Sequence, residues 1–262
     1  MTAAAGTSNR VVSGLKRHVA SVGESGMMLF HAFGKILKGR IDWEQTLTYV
    51  DRAGNGSLPI VALSATFIGM AISVQFAREI VSRYGADNMV GGFVGIAMVR
   101  ELAPVFVAVV MSGNIGASTT AEIGTMKVTD QIDALEVFHI QPLEYLVVPR
   151  IVSTAIIGPI LTVFGAYLAI WSGQLFTEYM VGVPGGVYWE SVQFSLTMND
   201  VRNMLVKALV FAIAIAFIAT NNGLATKGSS EAVGLNTTRT VVWCLLAIFI
   251  LNYFLTSLFF QF

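Results

Sequence analysis

The stretch that decides the fold runs from residue 58 to residue 78 and reads L-P-I-V-A-L-S-A-T-F-I-G-M-A-I-S-V-Q-F-A-R. No charged side chain occurs in it before Arg78, and the charge that precedes it is Arg52. About 20 predominantly apolar residues of helix cross the hydrocarbon core of a bilayer. This stretch therefore predicts a transmembrane helix.

Four further stretches of the chain have the same character. Together they predict five transmembrane helices, at residues 58–78, 88–112, 148–174, 205–222 and 239–260. The third is long enough either to tilt or to turn at Gly158 and Pro159. None shows the period-two alternation that is typical of a transmembrane β-strand. The sequence predicts an all-α integral membrane protein.

The composition of the whole chain supports this class. Hydrophobic residues make up 55% and charged residues 12% of the chain, and the mean hydropathy is +0.69. A soluble domain carries about 25% charged residues, so this chain could not cover a water-facing surface. The composition argues against a soluble enzyme, a nucleic-acid-binding protein or a disordered chain. The single cysteine, Cys244, excludes an intramolecular disulfide and any Cys-rich metal site.

The distribution of basic residues predicts the orientation of the chain. Most of them fall on the N-terminal segment and on the second and fourth loops. The opposite side has only Arg78, Arg83, Arg202 and Lys207. Because positively charged loops stay in the cytoplasm, we predict a cytoplasmic N-terminus and, after five spans, an external C-terminus.

The first 57 residues are predicted to form a cytoplasmic segment ahead of a membrane domain at residues 58–262. Apolar residues near helical spacing between Val12 and Ile36, with basic residues at both ends, indicate an amphipathic helix in the membrane interface. The alternative is a loosely ordered tail. Asp42 and Gln45 resemble a helix start, and the glycine-rich 54–56 is expected to end that short helix. Pro59 would then lie in the first turn of span one.

Two charges, Arg100 and Glu101, stand near the middle of the predicted second span. A charge at the bilayer centre costs at least ~2.5–3.5 kcal/mol, so both side chains should face protein or a watery cavity. Neighbours on a helix point about 100° apart, and each therefore needs its own partner. Lys207 is a candidate partner for Glu101, or else a lysine that extends to the interface. Pro104 should free a carbonyl near residue 100 and kink the helix.

The loop predicted at residues 113–147 is acidic although it is expected to face the cytoplasm. We expect Thr129 to cap a short helix near 129–138 whose apolar stripe includes Ile132 and Leu135. Such a helix suits a groove on a cytoplasmic partner, or alternatively lies on its own membrane domain. The acidic residues are Glu122, Asp130, Asp133, Glu136 and Glu144.

Groups of small residues favour either close contact between helices or self-association of the chain. Gly91, Gly92 and Gly95 form one group, and Ala65 and Gly69 form another. The chain contains no G-x-x-x-x-G-K-[ST] motif. We expect no cofactor and no metal on this chain, and any ATP-driven work must come from a second polypeptide.

Six motifs together resemble the MlaE/YrbE permease family, the membrane subunits of Mla- and Mce-type lipid ABC transporters. The resemblance runs from about residue 23 to residue 260. The sequence departs slightly at Ala103, where relatives often have glycine. The motifs are F-I-G-M at 67–70, R-E-L-A-P-V at 100–105, T-A-E-I-G-T-M at 120–126, D-A-L-E at 133–136, P-L-E-Y-L-V-V-P-R at 142–150 and T-T-R-T-V-V at 237–242.

The resemblance implies a homodimeric permease of the inner (cytoplasmic) membrane that moves phospholipids between inner and outer membranes. It implies a cytoplasmic ABC ATPase and a periplasmic MCE-domain protein as partners. The implied ATPase-coupling residues are Glu122, Ile123, Gly124, Asp130, Ile132, Asp133, Leu135 and Glu136. The implied lipid pocket, together with Lys207, consists of Phe67, Met70, Ile72, Val74, Gln75, Arg100, Glu101 and Leu102.

Two other functions stay open at this point. An ion-coupled secondary carrier or channel could use Arg100 and Glu101 as a proton or ion site, and it would transport without an ATPase. A non-transporting membrane scaffold would use the same charges for assembly alone.

Overall fold

The computed structural model describes residues 42–259 and the single residue Gly34. The predicted interfacial helix between Val12 and Ile36 lies outside this range except for Gly34. The described helices are α1 Trp43–Tyr84, α2 Asp87–Val128, α3 Gln131–Val137, α4 Leu143–Val181, α5 Gly185–Ser195, α6 Met198–Leu224 and α7 Ser230–Phe259. Among the described residues, α1, α2, α4, α6 and α7 are long and apolar enough to cross a membrane. The prediction of an all-α membrane protein with five spans is confirmed.

Helix α1 is much longer than the sequence predicts. Its start is as expected, since the Asp42 side chain accepts a hydrogen bond from the Gln45 backbone nitrogen at 3.1 Å. The predicted end at residues 54–56 is wrong, because the helix continues to Tyr84 with Pro59 in its interior. Glycine costs a helix about 1 kcal/mol, but Gly54 lets Ile157 of α4 pack closely against α1. Packing overrides the local preference. A domain boundary at residue 57 therefore falls inside a helix, and the division there stays a prediction.

Helix α2 extends to Val128 and contains two π-helical segments, Met98–Leu102 and Ser112–Gly116, between α-helical segments Val90–Ala97, Ala103–Met111 and Ala117–Val128. The predicted start of a loop at residue 113 is therefore wrong. The polar residues that suggested a loop find partners on neighbouring helices. The Thr120 hydroxyl lies 3.0 Å from the Ala219 carbonyl oxygen and 2.9 Å from the Thr240 hydroxyl.

The short helix predicted near 129–138 is present as α3, but Thr129 does not cap it. The Thr129 hydroxyl donates to the Thr125 carbonyl oxygen at 2.8 Å. Asp130 occupies the N-cap position with φ 57°, and no side chain caps the helix. A π-helical segment, Leu143–Val147, then leads into the α-helical segment Val148–Val181 of α4, which runs through Gly158 and Pro159 without turning.

Small residues bring the helices together as predicted. A Cβ atom on Gly69 of α1 would lie 2.1 Å from the Ala169 carbonyl oxygen of α4. Likewise, a Cβ atom on Gly91 of α2 would lie 2.0 Å from the carbonyl oxygen of Tyr188 on α5. The buried Tyr188 hydroxyl lies 3.3 Å from the Ser73 Oγ, and burial raises the pKa of Tyr188 to about 12. Only glycine permits these backbone approaches.

Helix α7 is covered far less than the others. In the most apolar part of α4, 50% of the residues are buried inside the chain, whereas in the corresponding part of α7 only 11% are buried. Helix α7 packs against α6 and α2 by one face. The rest of its apolar surface faces away from the chain.

Candidate functional site

Two clusters of charged side chains lie on helix α2, one near each end of the bundle. We call the end that the charge pattern predicts to face the cytoplasm the inner end, and the other the outer end. The outer cluster consists of Arg100, Glu101, Asp200, Lys207, Asn252 and Thr256. The inner cluster consists of Tyr49, Arg52, Glu122 and Arg150.

The Lys207 ammonium is the centre of the outer cluster. It lies 2.9 Å from the Glu101 Oε1, 2.7 Å from the Arg100 carbonyl oxygen and 2.7 Å from the Thr256 hydroxyl. Its side chain is 0% exposed. The predicted pairing of Lys207 with Glu101 is confirmed, and the alternative of a lysine extending to the interface is wrong.

The Glu101 carboxylate receives two further donors from α7. The Asn252 Nδ2 donates to Oε2 at 3.0 Å, and the Thr256 hydroxyl donates to Oε1 at 2.9 Å. The Glu101 side chain is still 38% exposed. Neither residue was predicted from the sequence, although two polar side chains four apart in an apolar span share one helix face.

Arg100 turns to a different partner, as its 100° offset from Glu101 requires. Its Nε lies 2.7 Å from the Asp200 Oδ1. Asp200 is also fixed at the start of α6, where its Oδ2 accepts from the Thr197 backbone nitrogen at 3.0 Å in a capping box. The T-M-N-D spacing at 197–200 was the signal that could have revealed Asp200.

The π-helical segment Met98–Leu102 and Pro104 position these two charges. Proline has no backbone N–H, so an α-helix would leave the Arg100 carbonyl oxygen without its usual donor. The Lys207 ammonium supplies one instead. The result is a carboxylate and a guanidinium, each about one-third exposed, fixed beside a buried ammonium. Such an arrangement can orient a ligand that carries both charge signs.

Some of the predicted pocket residues lie on α1, whereas the outer cluster lies on α2, α6 and α7. Helix α1 packs mainly against α4. Phe67 and Gln75 are exposed, and Met70 and Val74 are half-buried on the same side of α1. Ile72 and Leu102 pack against one apolar core cluster. A shared lipid pocket of these residues with Arg100, Glu101 and Lys207 stays a prediction.

The inner cluster joins α2 to α1 and α4. The Glu122 Oε2 lies 3.0 Å from the Arg150 Nη2, and the Glu122 Oε1 lies 3.6 Å from the Arg52 Nη1. The Arg150 side chain is 3% exposed, and its guanidinium carbon lies 4.5 Å from the centre of the Tyr49 ring. Sequence analysis counted Arg150 only as a loop charge and missed its burial.

The predicted coupling residues divide between the interior and the surface. Ile123 is fully buried, and Gly124 lies against Thr226 and Val233, so both hold α2 against its neighbours and offer no surface to a partner. Ile132 of α3 is also buried, with Ile123 and Leu146, and Leu135 is half-buried. Asp130, Asp133 and Glu136 are exposed.

Helix α3 therefore has both of the faces that were considered as alternatives. Ile132 fixes it to the membrane domain. The acidic residues point outward, and the Asp133 Oδ1 lies 2.7 Å from the Lys127 ammonium. Val137 and Phe138 at its end are exposed. No group of His, Cys, Asp and Glu in the described part of the chain is arranged to hold a metal ion.

The chain is similar to known proteins along most of its length. Residues 46–258 match the family model described as "Permease MlaE". A "probable ABC transporter permease protein" of Synechocystis is 40% identical over 94% of this chain and 92% of its own length. The intermembrane phospholipid transport system permease protein MlaE of Haemophilus influenzae is 34% identical over 92% of each chain. The chloroplast protein TRIGALACTOSYLDIACYLGLYCEROL 1 of Arabidopsis thaliana is 36% identical over 87% of this chain and 65% of its own length.

Proposed function

Because this chain belongs to the MlaE permease family, we propose that it moves phospholipids between the inner and outer membranes. It is a multi-pass membrane permease of the ABC transporter type, and its ATPase is a separate subunit. The observation that carries the lipid proposal is the outer cluster, in which Arg100 and Glu101 stay about one-third exposed within a helix that is otherwise apolar enough to span a membrane.

The chemistry of a phospholipid matches this arrangement. Its headgroup carries a phosphate and often an ammonium, whereas its two tails need a wide apolar surface. Arg100 and Glu101 offer one partner for each sign of charge. The outward stripe of α1, including Phe67, Met70 and Val74, offers apolar surface. Methionine in particular adapts to tails of different shape.

A second copy of the chain would complete the pocket. Helix α7 contributes Asn252 and Thr256 to the outer cluster but leaves most of its apolar residues uncovered. A partner copy that packs on this face would enclose the exposed edges of Arg100 and Glu101. We therefore place the lipid pocket between two copies, as the family resemblance implies.

The exposed acidic face of α3 is the proposed docking surface of the ATPase, which binds ATP in place of this chain. Movement of the ATPase would reach the membrane domain through Ile132, which packs against Ile123 of α2. On the outer face we propose a periplasmic MCE-domain protein, and the cytoplasmic (inner) membrane is the proposed location.

Transfer of a fluorescent phospholipid by the ATPase–permease complex in proteoliposomes tests the pocket. Arg100→Gln should lower transfer at least tenfold, because the headgroup loses a charge-assisted hydrogen bond. Arg202→Gln is the matched control, since Arg202 is an exposed arginine on α6. Equal transfer by both variants would contradict the pocket. Transfer by the permease alone under an ion gradient would instead support the carrier alternative.

Co-purification tests the docking surface separately. Asp133→Lys or Glu136→Lys should weaken ATPase binding and leave membrane insertion intact, because both side chains are exposed. Glu79→Lys, on an exposed position of α1 at the outer end, is the control. ATPase capture at the wild-type level by the α3 variants would remove α3 from the docking surface.

A further inference from the structure

A cavity of about 240 Å³ adjoins the inner cluster, between α1, α2 and α4. Several polar side chains line it, among them Arg52, Asn114, Ser118, Thr119, Glu122 and Arg150. Pockets for drug-sized ligands measure about 300–1,000 Å³. This cavity therefore suits one small polar group rather than a whole lipid.

Arg150 lines this cavity, and two of its guanidinium nitrogens have no hydrogen-bond acceptor among the described residues. Its Nη1 donates to the Leu146 carbonyl oxygen at 2.8 Å. Its Nε and Nη2 have no hydrogen-bond partner within the described residues, although Nη2 lies 3.0 Å from the Glu122 carboxylate. A buried charged donor without an acceptor is strongly unfavourable. The geometry calls for an acceptor at the Nε edge of the guanidinium.

The charged side chains that line this cavity favour an anion. Two guanidinium groups, Arg52 and Arg150, face one carboxylate, Glu122, whereas the carboxylates of Asp42 and Glu44 line the adjoining cavity. Arginine binds phosphate oxygens with its planar set of donors. Tyr49 covers one face of the Arg150 guanidinium and so shields it from water.

We propose that this cavity binds a phosphate group, supplied by the headgroup of a phospholipid at the inner end of the bundle. Aromatic residues place the cavity at headgroup level, because Trp and Tyr gather at membrane interfaces. Tyr145 lines an adjoining cavity together with Arg52 and Glu122, and Trp43 begins α1 beside it. The site is separate from the outer cluster, so it goes beyond the proposed transport pocket and does not depend on it.

Binding to the purified full-length protein in detergent tests the site without any transport. The probe is dioctanoylphosphatidylglycerol, and dioctanoylglycerol has the same acylated backbone without the phosphoglycerol headgroup. We expect the first to raise the midpoint of thermal unfolding with saturation and the second to leave it unchanged. Titration with inorganic phosphate distinguishes a lipid headgroup from free phosphate as the ligand. A much weaker response to it identifies a lipid headgroup, whereas an equal response identifies free phosphate as the ligand of the same site.

Two variants keep both the fold and Arg150. Arg52→Gln should weaken phosphatidylglycerol binding about tenfold, and Ser118→Leu should abolish it by filling the cavity. Arg83→Gln is the matched control, because Arg52 and Arg83 are both 68% exposed on α1 and Arg83 lies at the outer end. Equal shifts with dioctanoylglycerol, or unchanged affinity in Arg52→Gln and Ser118→Leu, would overturn the proposal.

Discussion

The outer and inner clusters have the same arrangement around different cations, and the two cations differ in how completely their hydrogen-bond donors are satisfied. In both, a partly exposed glutamate of α2 meets a buried cation, Glu101 with Lys207 and Glu122 with Arg150. The three hydrogens of the Lys207 ammonium have three acceptors at 2.7–2.9 Å. The five donors of a guanidinium are harder to satisfy, and within residues 42–259 two nitrogens of Arg150 have no hydrogen-bond partner.

The comparison teaches that a buried charge can serve either structure or binding, depending on how completely the protein satisfies it. The outer cation is fully engaged and fixes three helices, and only its neighbours Arg100 and Glu101 reach the surface. The inner cation is also buried, but within the described residues it keeps two nitrogens without a hydrogen-bond acceptor beside a cavity. Stability measurements can therefore separate the two clusters.

The largest effect is expected when the outer cation is removed. Lys207→Met keeps the length of the side chain but leaves Glu101 and the Arg100 carbonyl oxygen without the ammonium. Breaking a buried pair costs about 3–5 kcal/mol, and the partial exposure of Glu101 places the loss near the lower limit. Unfolding of the detergent-solubilised protein measures it. Lys127→Met is the control, and a loss no larger than in this control would contradict the structural role of Lys207.

A smaller loss is expected at the inner cluster. Glu122→Gln removes the anion facing Arg150, but Arg150 keeps its bond to the Leu146 carbonyl oxygen. Breaking a buried ion pair costs about 3–5 kcal/mol, whereas an exposed pair contributes about 0–1 kcal/mol. We expect a loss between these ranges, because Arg150 is 3% exposed and Glu122 is 41% exposed. Unfolding in detergent measures the loss, and Glu79→Gln is its surface control. If Glu122→Gln lowered the free energy of unfolding more than Lys207→Met, the inner cluster would contribute more to stability than the outer one, contrary to this prediction.

The aromatic ring over Arg150 should contribute about 1 kcal/mol, within the range of cation–π contacts. Tyr49→Leu removes the ring, whereas Tyr49→Phe keeps it and tests the hydroxyl separately. We expect unfolding measurements to show the loss only in the leucine variant. Equal losses in both variants would assign the effect to the hydroxyl.

The smallest stability effect is expected for Arg52→Gln. Arg52 is well exposed and 3.6 Å from Glu122, and exposed pairs of this kind contribute about 0–1 kcal/mol. The unfolding midpoint without lipid should therefore change little, while phosphate binding falls. A large loss of stability without lipid would mean that Arg52 is a structural residue and would blur the contrast between the clusters.

Much of this architecture could be predicted from the distribution of charges along the chain. The cost of a charge in lipid required partners for Arg100 and Glu101, and Lys207 was the available cation. Asp200, Asn252 and Thr256 were not predicted, because only the fold brings α6 and α7 beside α2. No periodicity in the sequence specifies that contact.

Two errors have a common physical cause. The ends expected for α1 at residues 54–56 and for α2 near residue 113 rested on local helix preference. In the fold, Gly54 receives Ile157, and Thr120 bonds to Ala219 and Thr240. Tertiary contacts compensate the polar and flexible residues that would end an isolated helix. Other tertiary contacts, with Thr226, Val233 and Leu146, bury Ile123 and Gly124, which the family resemblance implied as coupling residues.

The distance between the two clusters along α2 can be compared with the thickness of a bilayer. Between Glu101 and Glu122 the helix has twenty residues, 102–121, without a charge. At about 1.5 Å per residue they rise about 30 Å, which is the thickness of the hydrocarbon layer. The uncharged part of this helix therefore begins near residue 102, which is about the middle of the span predicted at residues 88–112. Its first turns, which pack against α5 at Gly91 and Gly92, lie on the outer side of the Arg100–Glu101 pair.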